Sequence, residues 1–403
     1  MVAGYAAKQL AELGLKSGDL TIVSAEPTAP YERPPLSKGF LAGRDSEESI
    51  RIVPNDFYSA HGIDLRLESE VTSVAAAARR IQLRSGEELA FDKLILATGS
   101  QVRKLDAPGA DLAGIFYLRS LADSKCIRER AAAAKHAVVI GGGFIGMEVA
   151  SVLAQKGIRV TMIVREARLF PQLFSPEMSA FFEGYYKARG VQFAMQAGIR
   201  ELRGTGAVSS SVLANGQEIA CDMVVAGIGV RPLIDFLISS GIEMDNGVVV
   251  NQYLETNQPG IYAAGDIANY QDALFGKRRR VEHWDNAVSQ GQHCARALMG
   301  DHAEFRHVPY FFSDVFDLSY EFWGDPAGAE EIVHRGNVTT NSFSTWWVRG
   351  QRLVAAFAMN RPEEERDVAP KWIEARQRVS TAPLRDASKP IAAAGEFAQT
   401  NVP

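Results

Sequence analysis

An α/β fold built from two related strand–helix–strand units, followed by a mixed α+β segment, is what this sequence predicts, and three observations predict it. The first is an internal repeat. With an offset of 143 residues, Gly157 falls on Gly14, Leu153 on Leu10, Ala150 on Ala7 and Gly146 on Ala3, and self-similarity of this kind marks a duplicated structural unit. The second is the order of patterns between Ala137 and Val164: an apolar run Ala137-Val-Val-Ile140, a glycine cluster, a helix-period stretch through Leu153, then a second apolar run. The third is a change of texture after residue 306, where Pro309–Trp323 is rich in aromatic residues and Ser342–Met359 reads as two strands, Phe343–Val348 and Leu353–Phe357.

Composition agrees with a multidomain globular chain. The 403 residues are 46% hydrophobic and 23% charged, with 35 glycines, which excludes disordered and collagen-like classes. A net charge of -5 argues against a general nucleic-acid or membrane-surface binder. Three cysteines, Cys126, Cys221 and Cys294, are too few and too far apart for a disulfide framework or a zinc site. No apolar run is long enough to span a membrane, and Lys8 and Glu12 interrupt the place of a signal sequence, so a cytoplasmic, unexported protein is expected.

The second copy of the repeat is complete. Gly141-Gly-Gly-Phe-Ile-Gly146 follows a strand and opens a helix, the context in which G-x-G-x-x-G marks a Rossmann-like dinucleotide-binding unit. Gly141 permits the tight turn, Gly143 lets backbone approach a pyrophosphate, and Gly146 lets helix and strand pack closely, while the helix N-terminus offers N–H groups to phosphate. Glu166 lies 23 residues past Gly143, where an acid accepts from a ribose hydroxyl. This favours NADH over NADPH, an expectation that the neighbouring Arg165 weakens because it can pair with a 2′-phosphate.

The first copy places Met1 on Phe144, so its opening strand and leading glycines have no counterpart here; Val2-Ala3-Gly4 reads as the start of its helix, with Ala3 as the third small residue. Weak retention of the first nucleotide follows as an expectation. After a short insertion at Lys16-Ser17, Glu166 falls on Glu26. Each copy later reaches an apolar strand ending in glycine, through Ala97 to Gly99 in the first and at Gly227 in the second. Between the copies, Ala29–Lys38 holds three prolines, a rigid loop that fixes Arg33 and Lys38. Gly260-Ile-Tyr-Ala-Ala-Gly-Asp266 reads as a buried strand with Asp266 at its carboxyl end. Helical and charged segments follow Asn360, and Val379 onward reads as an arm or tail. The expected domains are therefore 1–111 and 235–306 for one nucleotide, 112–234 for the other, and 307–403 for a C-terminal interface domain.

Four motifs, Pro30-Tyr-Glu-Arg-Pro-Pro-Leu-Ser-Lys38, Gly141–Glu148, Ala263-Ala-Gly-Asp266 and Val281-Glu-His-Trp284, occur in the order found in the FAD-dependent pyridine nucleotide-disulfide oxidoreductase superfamily, and the chain resembles its branch of ferredoxin reductases, apoptosis-inducing factor and monodehydroascorbate reductases. The resemblance implies FAD and NAD(P)H as cofactors. It makes Glu26 the acceptor for the FAD ribose and puts Arg33 and Lys38 near the pyrophosphate and flavin. Arg119 becomes a further FAD contact and Asp266 the ribitol partner, with Ala3, Gly4 and Ala97 lining the same site. It assigns Gly141, Gly143, Ile145, Gly146, Glu166 and Gly227 to NAD(P)H binding, pairs Lys38 with Glu148 at the reactive flavin edge, and sets Glu282, His283 and Trp284 where nicotinamide enters.

Disulfide reductases of this superfamily carry a redox cysteine pair after the first flavin loop; here Pro34–Leu41 has no cysteine, so electrons must leave the flavin directly for an outside acceptor. Tyr31-Glu-Arg-Pro34, Phe182–Tyr186 and Phe316–Tyr320 resemble monodehydroascorbate reductases, yet that family has an arginine at Val288 and a tyrosine at Phe312, both associated with its anionic substrate. The main expectation is an NAD(P)H oxidoreductase serving a ferredoxin-like or rubredoxin-like protein or another one-electron acceptor; a monodehydroascorbate reductase-like enzyme and a redox-responsive binding protein remain open beside it, and a homodimer is compatible with each. The run Lys277-Arg-Arg-Arg280 is expected to dock an acidic carrier.

Overall fold

A computed structural model describes residues 1–395. The longer helices are α1 (Val2–Glu12), α2 (Leu121–Ala131), α3 (Phe144–Gln155), α4 (Pro176–Lys187), α5 (Trp284–Leu298) and α6 (Glu363–Glu374). The strands that position the site are β1 (Thr21–Val23), β2 (Asp64–Arg66), β3 (Leu94–Leu96), β4 (Ile115–Phe116), β5 (His136–Ile140), β6 (Arg159–Val164), β7 (Gln192–Met195), β8 (Met223–Ala226), β9 (Val248–Val250), β10 (Ile261–Ala263), β11 (Ala268–Asp272) and β12 (Lys277–Arg279). The C-terminal strands are β13 (Tyr310–Val315), β14 (Leu318–Gly324), β15 (Glu331–Gly336), β16 (Phe343–Arg349) and β17 (Arg352–Met359).

The chain forms two compact units. The first comprises Met1–Pro34, Ser46–Gln101 and Val230–Pro309. Its helix α1 ends twelve residues into the chain and α3 ends at Gln155, so the repeat offset read from the sequence holds for both helices. In this unit β1 pairs in parallel with β2, and β3 with β10. Helix α1 lies closely on α5: a Cβ at Gly291 would come within 2.8 Å of the Val2 carbonyl oxygen, so glycine there sets how near the two backbones approach. Leu96, Ala263, Ala264 and Ile267 are buried in the same core as Val2 and Ala287.

The second unit comprises Pro35–Asp45, Val102–Gly229 and the residues from Tyr310 on. Its parallel sheet has the order β7-β6-β5-β8-β4. Ala137, Val138 and Val139 of β5 and Met223 and Val224 of β8 are wholly buried, as expected where helices cover both faces and strands read as continuous apolar runs. The C-terminal strands make a five-stranded antiparallel sheet, β13-β14-β17-β16-β15, with Phe343, Trp346, Phe357, Tyr320 and Phe322 inside. Both strands expected there are present, β16 one residue longer at its end and β17 longer at both ends.

The expected arm after Val379 is not an arm in its described part. Val379, Leu384 and Ile391 are buried, and Arg335 of β15, itself buried, donates to the carbonyl oxygens of Pro383, Leu384, Asp386 and Lys389. A guanidinium with five donors can hold several backbone carbonyls at once, which the sequence alone conceals because the arginine lies about fifty residues earlier in the chain. The end of that expected tail, 396–403, lies outside the described residues. No helix among the described residues is long and apolar enough to cross a membrane.

Candidate functional site

In the second unit the glycine turn has the geometry its sequence demands. Gly141 has φ +110°, and a Cβ there would lie 2.2 Å from the Gly227 carbonyl oxygen. A Cβ on Gly146 would meet the Gly141 carbonyl oxygen at 2.2 Å, so this residue lets α3 pack directly on the turn. At Gly143 no atom lies within 4 Å of that position. Gly143 is the N-cap of α3, without a side-chain cap, which leaves the first-turn N–H groups for an anion. Ile145 is exposed in that first turn, and Glu166 and Arg165 are exposed just past the end of β6. These features fit a dinucleotide pyrophosphate and ribose. Arg168 is held inward by the carbonyl oxygens of Phe174 and Pro171 and by Ser179, so Arg165 is the cation left beside Glu166.

The same unit contains Lys38 and Glu148. Lys38 Nζ lies 2.7 Å from Glu148 Oε1, and Glu148 is only 3% exposed although it sits on α3. Ser313 Oγ donates to the same oxygen at 2.6 Å, and Ser37 Oγ donates to Oε2. The Lys38 ammonium also lies 5.4 Å from the centroid of the Phe312 ring. Reasoning from sequence named the lysine and the glutamate but missed both serines. Ser37 stood inside a quoted motif and Ser313 beside Phe312; only the approach of β13 to α3 reveals their common acceptor. Arg119 immediately precedes the N-cap of α2, its backbone N–H donating to Asp123 Oδ2 at 3.0 Å.

In the first unit Glu26 follows β1. Arg33 Nη2 donates to its Oε1 at 2.6 Å and the Tyr31 hydroxyl to its Oε2, with the guanidinium over the Tyr31 ring. Burial pushes the Glu26 carboxyl up, but the Arg33 charge and these hydrogen bonds outweigh it and hold the carboxyl below its ordinary value. A carboxylate has about four acceptor positions, so two occupied ones leave capacity for ribose hydroxyls. Asp266 lies in the turn after β10, and its charge acts on both Arg33 and His283. An acid at a strand end, a cation and a second acid form a donor set suited to a nucleotide's ribose and phosphates. Gly4 and Ala3 lie in the first turn of α1, and Ala97 directly follows β3.

Glu282, His283 and Trp284 lead into α5. Burial, with the charge of Arg279, depresses the His283 imidazole from its ordinary value to about 4, so it is neutral at pH 7. Glu32, a residue the sequence reading did not single out, accepts from the Trp284 indole N–H with one oxygen and from the Tyr5 hydroxyl with the other. The rings of Tyr5 and Trp284 meet edge to face at 6.4 Å.

The run expected to dock an acidic carrier is partly engaged within its own unit. Lys277–Arg279 is strand β12, and Arg278 donates to the Val250 and Asn269 carbonyl oxygens. Arg279 pairs with Asp272 over the Phe275 ring, their side chains 13% and 4% exposed. Arg280 binds Glu282 and the Asp266 carbonyl oxygen. Arg279 and Arg280 are therefore engaged within the unit, while Lys277 and Arg278 are exposed.

Comparison with known proteins fits this geometry. The pyridine nucleotide-disulphide oxidoreductase model matches residues 2–291 and the reductase C-terminal model residues 310–394. The chain is 35% identical to the peroxisomal monodehydroascorbate reductase 4 of Arabidopsis thaliana, over 92% of this chain and 80% of that one. It is 34% identical to the rubredoxin-NAD(+) reductase of Pseudomonas putida, over 89% and 94%. Among solved structures it matches a covalent putidaredoxin reductase–putidaredoxin complex with a TM-score of 0.94 and 31% identity, covering 98% of this chain and 97% of that one. A glycine turn shaped for pyrophosphate, in one of two related units, has its explanation in that match: the protein belongs to the pyridine nucleotide-disulphide oxidoreductase family, which implies FAD and NAD(P)H as its cofactors.

Proposed function

We propose that this protein is an FAD-dependent NAD(P)H oxidoreductase that takes hydride from NADH and delivers electrons to a small redox protein of the ferredoxin or rubredoxin type. One observation carries the reading: Lys38, inside the cysteine-free segment Pro34–Leu41, forms a buried ion pair with Glu148. The relatives named as reductases of rubredoxin and putidaredoxin support the acceptor class.

Bound FAD supplies the two-electron to one-electron conversion. The chain's residues do the rest. Gly141, Gly143, Gly146, Ile145 and Gly227 hold the nicotinamide dinucleotide, and Glu166 accepts from its 2′-hydroxyl while repelling a 2′-phosphate. In the first unit Ala3, Gly4, Glu26, Arg33, Ala97 and Asp266 hold FAD, and we assign Arg119 to the same cofactor. Lys38 presents a fixed ammonium that favours negative charge developing as hydride arrives, and Glu148 holds that ammonium in place. Glu282, His283 and Trp284 border the nicotinamide, His283 as a neutral hydrogen-bonding group. The corresponding division of the chain is 1–111 with 235–306 for FAD, 112–234 for NAD(P)H and 307–403 for the C-terminal domain.

A monodehydroascorbate reductase-like role is the weaker reading. The Arabidopsis relative supports it, but Val288 and Phe312 lack the cation and hydroxyl suited to an anionic radical. Steady-state assays with NADH decide between the two: turnover with a ferredoxin or rubredoxin far above turnover with enzymatically generated monodehydroascorbate supports the first, and the reverse order overturns it.

A further inference from the structure

We infer that Ser313 and Ser37 are positioning residues that fix the Glu148 carboxylate and, through it, the direction of the Lys38 ammonium. The inference rests on the proposed role of the Lys38–Glu148 pair. Glu148 is buried and receives three donors from two separate parts of the chain: Ser37 and Lys38 from the proline-rich loop, and Ser313 from β13. Ser37 and Ser313 are themselves 2% and 1% exposed, so their hydroxyls bond protein groups in place of water.

Two oxygens and three donors define the plane of the carboxylate. Lys38 and Ser313 share Oε1, at 2.7 and 2.6 Å, while Ser37 takes Oε2. A single ammonium on one oxygen leaves a carboxylate free to turn about its terminal torsion, which is broad and roughly two-fold. A hydroxyl on each oxygen removes that freedom. Ser313 stands directly across from the buried Tyr320 of β14 in the antiparallel pairing of β13 with β14. The order Ser313, Glu148, Lys38 thus ties the ammonium to β13 of the C-terminal sheet, and the Phe312 ring bounds it as well. Serines present only to fill space have no reason to converge on the same carboxylate from different elements.

The first test uses flavin-free protein and reads Lys38 itself. The rate at which trinitrobenzenesulfonate modifies Lys38 is followed by peptide mass spectrometry in wild type, Glu148→Gln, Ser313→Ala, Ser313→Thr and Ser37→Ala, with the exposed Lys8 as internal reference. Loss of a hydrogen bond to a charged group corresponds to roughly a tenfold change or more. Ser313→Ala and Ser37→Ala are expected to raise Lys38 modification several-fold toward the Glu148→Gln rate without changing Lys8, while Ser313→Thr stays near wild type. Ser313→Ala added to Glu148→Gln is expected to do nothing further, the non-additivity of residues acting through one group. Wild-type rates in both alanine variants, with Glu148→Gln accelerated, overturn the inference, as does a rise at both lysines alike, which marks loss of the fold. The second readout is flavin reduction by NADH in the holoprotein, where Ser313→Ala lowers the limiting rate about tenfold and leaves NADH affinity unchanged. If Glu148→Gln frees Lys38 yet leaves that rate intact, the role proposed for the pair fails while the positioning by the serines stands.

Discussion

Glu32 ties Tyr5 of α1 and Trp284 of α5 to the proline-rich loop through one carboxylate. Replacing it with leucine leaves a phenol and an indole without their acceptor, and such a loss costs about 1–3 kcal/mol. Glu32→Leu is therefore expected to lower the unfolding midpoint and to alter Trp284 emission, with Trp284→Phe as the spectral reference; an emission difference equal to wild type counts against the anchoring. His283 makes a separate, pH-dependent contribution. Its imidazole is held at about 4 against an ordinary 6.5, so between those values the unfolded chain binds more protons and folding stability falls as pH falls. The contribution is complete above about pH 6.5 and is lost toward pH 4. His283→Gln should flatten that part of the stability profile relative to wild type, and parallel profiles from pH 7 to pH 4 contradict it. At Glu166 the expected result is a change of preference: Glu166→Gln removes the repulsion of a 2′-phosphate and moves the ratio of kcat/KM values toward NADPH by roughly tenfold, about 1.4 kcal/mol. An unchanged ratio assigns nucleotide choice elsewhere.

At the scale of elements, legibility followed how local each determinant is. The turn from β5 into α3 was readable because its glycines, strand and helix are contiguous, and Gly141, Gly143 and Gly146 each occupy the place their spacing implied. The packing of α1 on α5 and the approach of β13 to α3 were not, since both join segments far apart in sequence. The C-terminal segment shows the same limit, because its charged, helical text concealed a buried clamp. Glu365 pairs with Arg335 at 2.7 Å and Arg361 at 2.6 Å and accepts from Ser344. Burial raises the Glu365 carboxyl, and the bonds from Arg361, Arg335 and Ser344 more than reverse this. Glu365→Leu leaves the Arg335 guanidinium buried without its carboxylate, for which about 3–5 kcal/mol is expected. Denaturant unfolding measures it, with protection of residues 379–395 in hydrogen exchange lost first; a change below about 1 kcal/mol shows that the backbone carbonyls alone hold Arg335.

For the whole molecule, the internal repeat was the most informative feature of the sequence, since it announced two nucleotide-binding units before any motif was interpreted. The least informative was the run Lys277–Arg280. A charge run reads as solvated surface or docking patch, yet Arg279 pairs with Asp272 and Arg280 with Glu282 and the Asp266 carbonyl oxygen, while Lys277 and Arg278 are exposed. Neutralising those arginines is now expected to destabilise the first unit before it affects any acceptor. The absence of cysteine from Pro34–Leu41 bears on the whole reaction, because the proposed function makes the flavin alone the store of electrons between nicotinamide and acceptor.

That claim is tested most directly by an anaerobic titration of the FAD-loaded protein with NADH, followed by back-titration with ferricyanide. About one NADH per flavin should complete the bleaching, and about two equivalents of the one-electron acceptor should restore it, the stoichiometry of a flavin acting alone. Uptake of about two NADH per flavin reveals a second two-electron centre in the protein and contradicts the account.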